Sequence, residues 1–146
     1  NAALQIAPFD SDLLATRAEL LAATDLQAAL RDADESLRGA SKNADALWIR
    51  ARILLRLGRL KEAETDLDRA LSIEPDVMRA RSLRAEIRLK LHRLAEAFDD
   101  ASMVLETRPG DLAMVRVRAI AQSGANDSEG AVTTLTSVLG APGEPT

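Results

Sequence analysis

The chain has 146 residues, 47% of them hydrophobic and 29% charged, which is enough for one domain with a substantial core. Its net charge of -4, with both signs mixed throughout, argues against nucleic acid as a partner, and the absence of cysteine excludes disulfides and thiol chemistry. No apolar run approaches the roughly 18 residues needed to cross a bilayer, so a soluble protein without direct membrane insertion is expected, in a cytoplasmic or bacterial periplasmic compartment that a cysteine-free chain does not decide.

Residues 1–10, NAALQIAPFD, align with residues 68–77, placing Ala3 on Ala70, Leu4 on Leu71, Ile6 on Ile73 and Pro8 on Pro75. They read as the last turns of a helix whose partner is absent, so a segment of a longer repeat array is expected; the alternative is an extended N-terminal arm. Residues 11–42 form a first unit. Ser11 is expected to cap a helix running to about Ala23, and Thr24 or Asp25 to open a second helix carrying Leu26, Ala29, Leu30, Ala33 and Leu37 to near Gly39. Residues 43–77 carry Leu47, Ala51, Leu54 and Leu57 at helical spacing up to Gly58, then Leu60, Ala63, Leu67, Ala70, Leu71 and Ile73 until Pro75 stops the second helix. Residues 78–111 keep Ala85, Leu91, Leu94, Ala97, Ala101, Leu105 and Pro109. Residues 112–140 are the weakest unit, with the polar turn SGANDSEG and Ser128 in place of a leucine, and 141–146 read as a linker-like tail.

Sliding the chain past itself shows the order in these units. Ala29, Ala63, Ala97 and Ala131 lie 34 residues apart, as do Leu37, Leu71, Leu105 and Leu139. Ala18, Ala51, Ala85 and Ala119 do the same except for a first step of 33, which places one missing residue near Thr24 in the first inter-helix turn. Small side chains let two helix backbones approach closely, so the alanine columns are the expected contact points and the leucine column the continuous core. Gly58, His92 and Asn126 share a column, and all three accept positive φ readily, which predicts a left-handed turn there.

In residues 44–77, Ala51, Ala63, Ala70 and Pro75 occupy positions 8, 20, 27 and 32 of a 34-residue unit, and this pattern resembles the tetratricopeptide repeat (TPR), a helix-turn-helix module. The family's usual Trp precedes Trp48 by one place, where this chain has Leu47. The resemblance implies an all-α, right-handed α-solenoid of about four hairpins, forming a single domain over 1–146. It also implies that the first helix of each hairpin lines a concave groove. On that basis the groove would carry Asp45, Trp48, Ile49, Arg52, Leu55 and Arg56; then Arg79, Ser82, Leu83, Glu86, Leu89 and Lys90; then Arg116, Val117 and Ile120. The first repeat would add a smaller, more acidic wall of Asp12, Ala15, Thr16 and Glu19.

A second pair of columns is charged. Arg17, Arg50, Arg84 and Arg118 recur in the first helices, and Asp32, Asp66 and Asp100 in the second helices, with Thr134 completing the latter column. These are expected to meet as partly buried ion pairs, within a repeat (Arg50 with Asp66) or between neighbours (Asp66 with Arg84). The alternative is an arginine ladder for an acidic ligand. Glu35, Glu62, Glu64, Glu86 and Glu96 are expected at solvated helix positions. With one histidine, His92, no P-loop and no metal-ligand cluster, the sequence predicts no enzyme, no cofactor and no metal site.

The expected function is a scaffold that binds a partner peptide or helix in the groove. Trp48, Leu55, Leu89 and Ile120 would be its apolar floor, Arg52 and Arg116 would orient an acidic group, and Arg79, Ser82 and Glu86 would complete the site. One TPR subgroup grips a C-terminal carboxylate through fixed Lys, Asn and Arg positions. The corresponding residues here are Ala15, Glu19, Ile49, Arg79 and Leu83 in one frame and Trp48, Arg52, Leu83, Ala113 and Val117 in the next, so neither frame makes that clamp. The alternatives are a structural spacer that self-associates through uncapped end repeats, or a regulatory arm of an enzyme whose catalytic domain lies elsewhere.

Overall fold

A computed structural model of the chain describes residues 10–140. The repeat remnant expected at residues 1–9 and the tail at 141–146 lie outside the described residues. Among the described residues there are eight helices: α1 (Ser11–Leu21), α2 (Leu26–Gly39), α3 (Ala44–Arg56), α4 (Leu60–Ile73), α5 (Met78–Lys90), α6 (Leu94–Thr107), α7 (Leu112–Gly124) and α8 (Ser128–Leu139). They form two compact units that part after Val77. In each unit two helical hairpins pack one on the other, α1–α2 on α3–α4 and α5–α6 on α7–α8.

Local chemistry sets the helix ends. Asp25, Asn43, Asp111 and Asp127 sit just before α2, α3, α7 and α8, and each side-chain oxygen accepts a backbone N–H of the first turn. Before α1 the cap is Asp10, not the expected Ser11. Its carboxylate accepts from Asp12 N and Leu13 N at 3.0 Å each, so one acidic group satisfies two orphan donors and also favours the positive helix end.

The turns inside the hairpins follow the Gly58–His92–Asn126 column, where φ is 76°, 59° and 65°. The left-handed residue lets the next N–H reach back five residues: Arg59 N donates to Leu54 O at 2.9 Å, Arg93 N to Arg88 O at 2.8 Å and Asp127 N to Gln122 O at 2.9 Å. The first turn differs. It contains no positive-φ residue, and α1 has 11 residues against 13 in α3, α5 and α7. α1 is thus two residues shorter and the turn after it, residues 22–25, one residue longer than residues 57–59, so the single missing residue is taken out of the helix, which stops at Leu21 and not near Ala23.

The columns carry the packing. Ala18, Ala29, Ala51 and Ala63 are buried in the first unit, and Ala85, Ala97, Ala119 and Ala131 in the second. Ala101, Val104 and Leu105 of α6 form one core with Met114, Val115 and Val117 of α7, and Met78 and Leu89 pack partly buried against it. Leu37, Leu71 and Leu105 are buried, whereas Leu139 is 68% exposed. Glu64 departs from its expected solvated position. It lies buried in the column that holds Leu30 in the first hairpin and Phe98 in the third.

The charged columns meet within hairpins. Arg50 Nε and Nη2 donate to the two Asp66 oxygens at 2.7 Å each, and Arg84 makes the same fork on Asp100 at 2.8 Å each. Arg50 Nη1 also reaches Asp34 of the preceding hairpin at 3.1 Å. Hydrogen bonding to Asp66 raises the Arg50 pKa against the opposing pull of burial. Arg17 pairs with Asp32 in the same way but its side chain is 65% exposed, against 21% for Arg50 and 15% for Arg84. Truncating one partner strands a buried charge, so Asp66→Ala is expected to lower the unfolding free energy by about 3 to 5 kcal/mol in urea titrations. Asp32→Ala is expected to cost distinctly less, because Arg17 keeps its water; equal losses would show that burial does not set the strength of these pairs.

Candidate functional site

The candidate residues lie on the first helix of each hairpin. In the first unit Trp48 and Arg52 are four residues apart, so one helix face presents both. The Arg52 guanidinium lies over the indole, 4.6 Å from the ring centroid, and its Nη1 donates to Glu19 Oε1 on α1 at 2.8 Å. Trp48 is half-buried, and the exposed Arg52 covers one face of its ring. A planar cation on the negative face of an indole is attracted by the ring quadrupole. Leu55, on the same helix, is also half-buried. Arg56 of α3 donates through Nη1 to the Ala22 carbonyl at the negative end of α1, a favourable place for a cation.

In the second unit Arg79 is exposed and Glu86 half-buried on α5. Ser82 Oγ accepts a hydrogen bond from Arg108 Nη2 at 3.2 Å, and Leu89 is half-buried against the core of the unit. Arg116 and Ile120 are exposed on α7, again four residues apart. Ile49 and Val117, counted among the groove residues, are buried and belong to the core.

Two features escaped the sequence reading. Glu19 and Arg52 pair across hairpins; their 33-residue separation equals the Ala18–Ala51 step, so the repeat register itself held that signal. Asp100 gathers three arginines, since Arg88 Nη1 donates to it at 2.8 Å and Arg81 Nη1 lies 3.6 Å away, beside the Arg84 fork. No periodic column announces Arg81 or Arg88. An apolar hollow of about 250 Å³ in the second unit is lined by Leu94, Phe98, Ala121 and Gln122, among others. Among the described residues no cluster of three or more His, Cys, Asp or Glu is placed to hold a metal ion, and His92 occupies a left-handed turn. No helix among the described residues is long and apolar enough to cross a membrane.

Trp48 is the chain's single tryptophan and reports directly on the stack. Arg52→Ala is expected to shift its emission to longer wavelength, to increase quenching by acrylamide, and to lower stability by about 0.5 to 1 kcal/mol. An unchanged spectrum would show that the guanidinium does not shield the ring.

Residues 20–87 match the sequence profile of the tetratricopeptide repeat. A search of functionally curated proteins returns no match. Among solved structures, a crystal structure of MamA superposes with a TM-score of 0.86 at 14% identity, over 94% of this chain and 81% of that one. A tetratricopeptide repeat protein from Parabacteroides merdae gives 0.79 at 24% identity, over 93% of this chain and 56% of that one. The first TPR of Spaghetti (RPAP3), bound to the HSP90 peptide SRMEEVD, gives 0.74 at 24% identity, over 80% and 94% respectively. This likeness establishes the fold class, an all-α solenoid built of helix-turn-helix hairpins.

Proposed function

We propose, on the premise that this chain is a tetratricopeptide-repeat protein, that it is a non-enzymatic interaction scaffold whose first-helix residues hold a segment of a partner polypeptide. The observation that carries this reading is the Trp48–Arg52 stack. It is a large apolar surface with an attached cation, left partly open on a helix face that the hairpin core does not use. Trp and Arg in such settings supply a disproportionate share of interface energy. In the first unit, apolar side chains of the partner pack on Trp48 and Leu55 and Arg52 orients an acidic group. In the second unit, Leu89 and Ile120 offer the apolar surface, Arg116 the cation, and Arg79, Ser82 and Glu86 the polar edge. A peptide lies on the structurally similar RPAP3 repeat domain, which supports this mode of use for the hairpins.

The test begins with a peptide library selected against the protein. The selected peptide is expected to bind Trp48→Ala at least about tenfold more weakly than wild type, with a smaller loss for Arg52→Ala. Wild-type affinity in both variants would remove the assignment.

A specific observation favours self-association as a second reading. Ala33, Ser36 and Leu37 of α2, and Ala101, Val104 and Leu105 of α6, are buried on the face where a further hairpin packs. Their counterparts on α8, Leu135, Val138 and Leu139, are exposed. At the other end α1 exposes Leu13 and Leu20, whose counterparts Ala46 and Ile53, and Met114 and Ala121, are buried. The two ends thus carry the two halves of the contact that joins hairpins, and copies would stack head to tail. Sedimentation should show concentration-dependent association that Leu139→Glu and Leu20→Glu each abolish. A wild-type monomer at every concentration, or association that survives both changes, removes this reading.

A further inference from the structure

We infer that the apolar hollow between α6 and α7 is a binding site for an arginine side chain of a partner polypeptide. The hollow measures about 250 Å³. Leu94 and Phe98 of α6 wall it on one side, Ala121 of α7 and Ala125 just after that helix on the other, and Asp99 and Asp127 also line it. Asp99, Ala125 and Asp127 are exposed, so the hollow opens to solvent and a side chain can enter. A cavity of about 150 Å³ takes a benzene ring, and this one therefore has room for a single large side chain.

The repeat columns show where the room comes from. Ile53, Arg56 and Leu57 of the second hairpin, like Ile87, Lys90 and Leu91 of the third, correspond to Ala121, Gly124 and Ala125 of the fourth. Bulk has been removed from the whole last turn of α7. Ile53 and Ile87 are buried where they occur, so this turn leaves open a volume that the other hairpins fill. A Cβ on Gly124 would come within 2.8 Å of Leu94 Cδ1, so the glycine is what lets Leu94 lie against α7.

Charge selects the occupant. The lining holds two carboxylates and no cation. Asp127 Oδ1 accepts from Gly130 N at 2.9 Å and its Oδ2 from Gln122 Nε2 at 3.3 Å, and neither Asp127 nor Asp99 is in an ion pair among the described residues. The corresponding joint of the first unit, between α2 and α3, has a hollow of about 240 Å³ whose charges are matched internally. There Arg50 pairs with Asp34 and Asp66, and Arg59 with Glu62. The columns of Asp99 and Asp127 hold Arg31 and Arg59 in that unit, so the sign is reversed. An apolar interior with an anionic mouth fits a side chain with an aliphatic stem and a cationic head. Arginine fits better than lysine, because its guanidinium is less strongly hydrated, forks onto a carboxylate and stacks on a ring such as that of Phe98. Residues 1–9 and 141–146 contain neither arginine nor lysine, so those segments do not supply it. The site uses α6 as well as α7 and does not depend on the first-helix face around Trp48.

The test is a titration of the wild-type protein with acetyl-Ala-Arg-Ala-amide, observed by NMR at the methyl resonances of Leu94, Ala95 and Ala125. These should shift saturably, while the Leu57 methyls in the first unit stay in place. The same peptide with citrulline for arginine keeps the shape without the charge and should bind at least about tenfold more weakly. Asp99→Asn should weaken the arginine peptide about fivefold. Ala125→Leu restores the residue of the second hairpin, fills the hollow and should abolish the response. The inference is overturned if the arginine peptide gives no saturable shift, if the citrulline peptide binds equally, or if Asp99→Asn or Ala125→Leu leaves binding unchanged. Comparing the two peptides on the wild-type protein decides the matter even if a variant fails to fold. Because the response is read at α6 and α7, its failure is separate from any failure of the Trp48 groove.

Discussion

The close approach of helices at the alanine columns is the constraint on which the rest of each unit depends. Ala18 and Ala29 in the first hairpin, like Ala85 and Ala97 in the third, are wholly buried. A methyl group is about the largest side chain that lets two helix backbones come this near. Once the helices are at that distance, the larger residues one turn away have a defined space to fill. Leu47, Ile53 and Leu67 do so in the first unit, and Ile87, Val104 and Met114 in the second. With aromatics at 2% of the chain, this small-on-large packing has to supply nearly all of the apolar burial.

The same proximity explains why arginine and aspartate can be used inside a hairpin. At Arg50–Asp66 and Arg84–Asp100 the fork is satisfied on both oxygens, so the desolvation of two charges is offset by two charge-assisted bonds in a region of low dielectric constant. Such a pair is a poor source of net stability but a strict condition on register. A helix slipped by one turn would leave Asp66 beside Leu54 or Ala46. Chains built from near-identical hairpins need that restriction, because alanine and leucine columns alone tolerate a shift. At Asp100 the restriction is looser, since Arg84, Arg88 and Arg81 on successive turns all reach it.

Surface chemistry follows from what the core leaves over. On the half-buried and exposed positions of the first helices the chain places Trp48, Arg52, Arg116 and Ile120. The Glu19–Arg52–Trp48 stack pre-orders the first of these groups. Its guanidinium is held by a carboxylate on α1 and lies over the indole, so its conformational freedom is already restricted. Ile49 shows the opposite outcome. Assigned to the groove by its repeat position, it is taken up by the core, because helical phase at that point turns its side chain inward.

The sequence by itself determined what recurs. The hairpins, their turns at Gly58, His92 and Asn126, the alanine contacts and the facing Arg and Asp columns all return at a fixed interval, and periodicity is a property of the linear chain. Tertiary structure decided what does not recur. It chose Asp10 over Ser11 as a cap, shortened α1 in place of its turn, drew Glu64 inward, and set three arginines on Asp100. It also separated Arg118, which has lost its acid, from Arg17, Arg50 and Arg84, which have kept theirs. The reason is physical. A repeat specifies which residue types occupy equivalent places, but exposure and hydrogen bonding depend on neighbours distant in sequence, and those neighbours differ from one hairpin to the next.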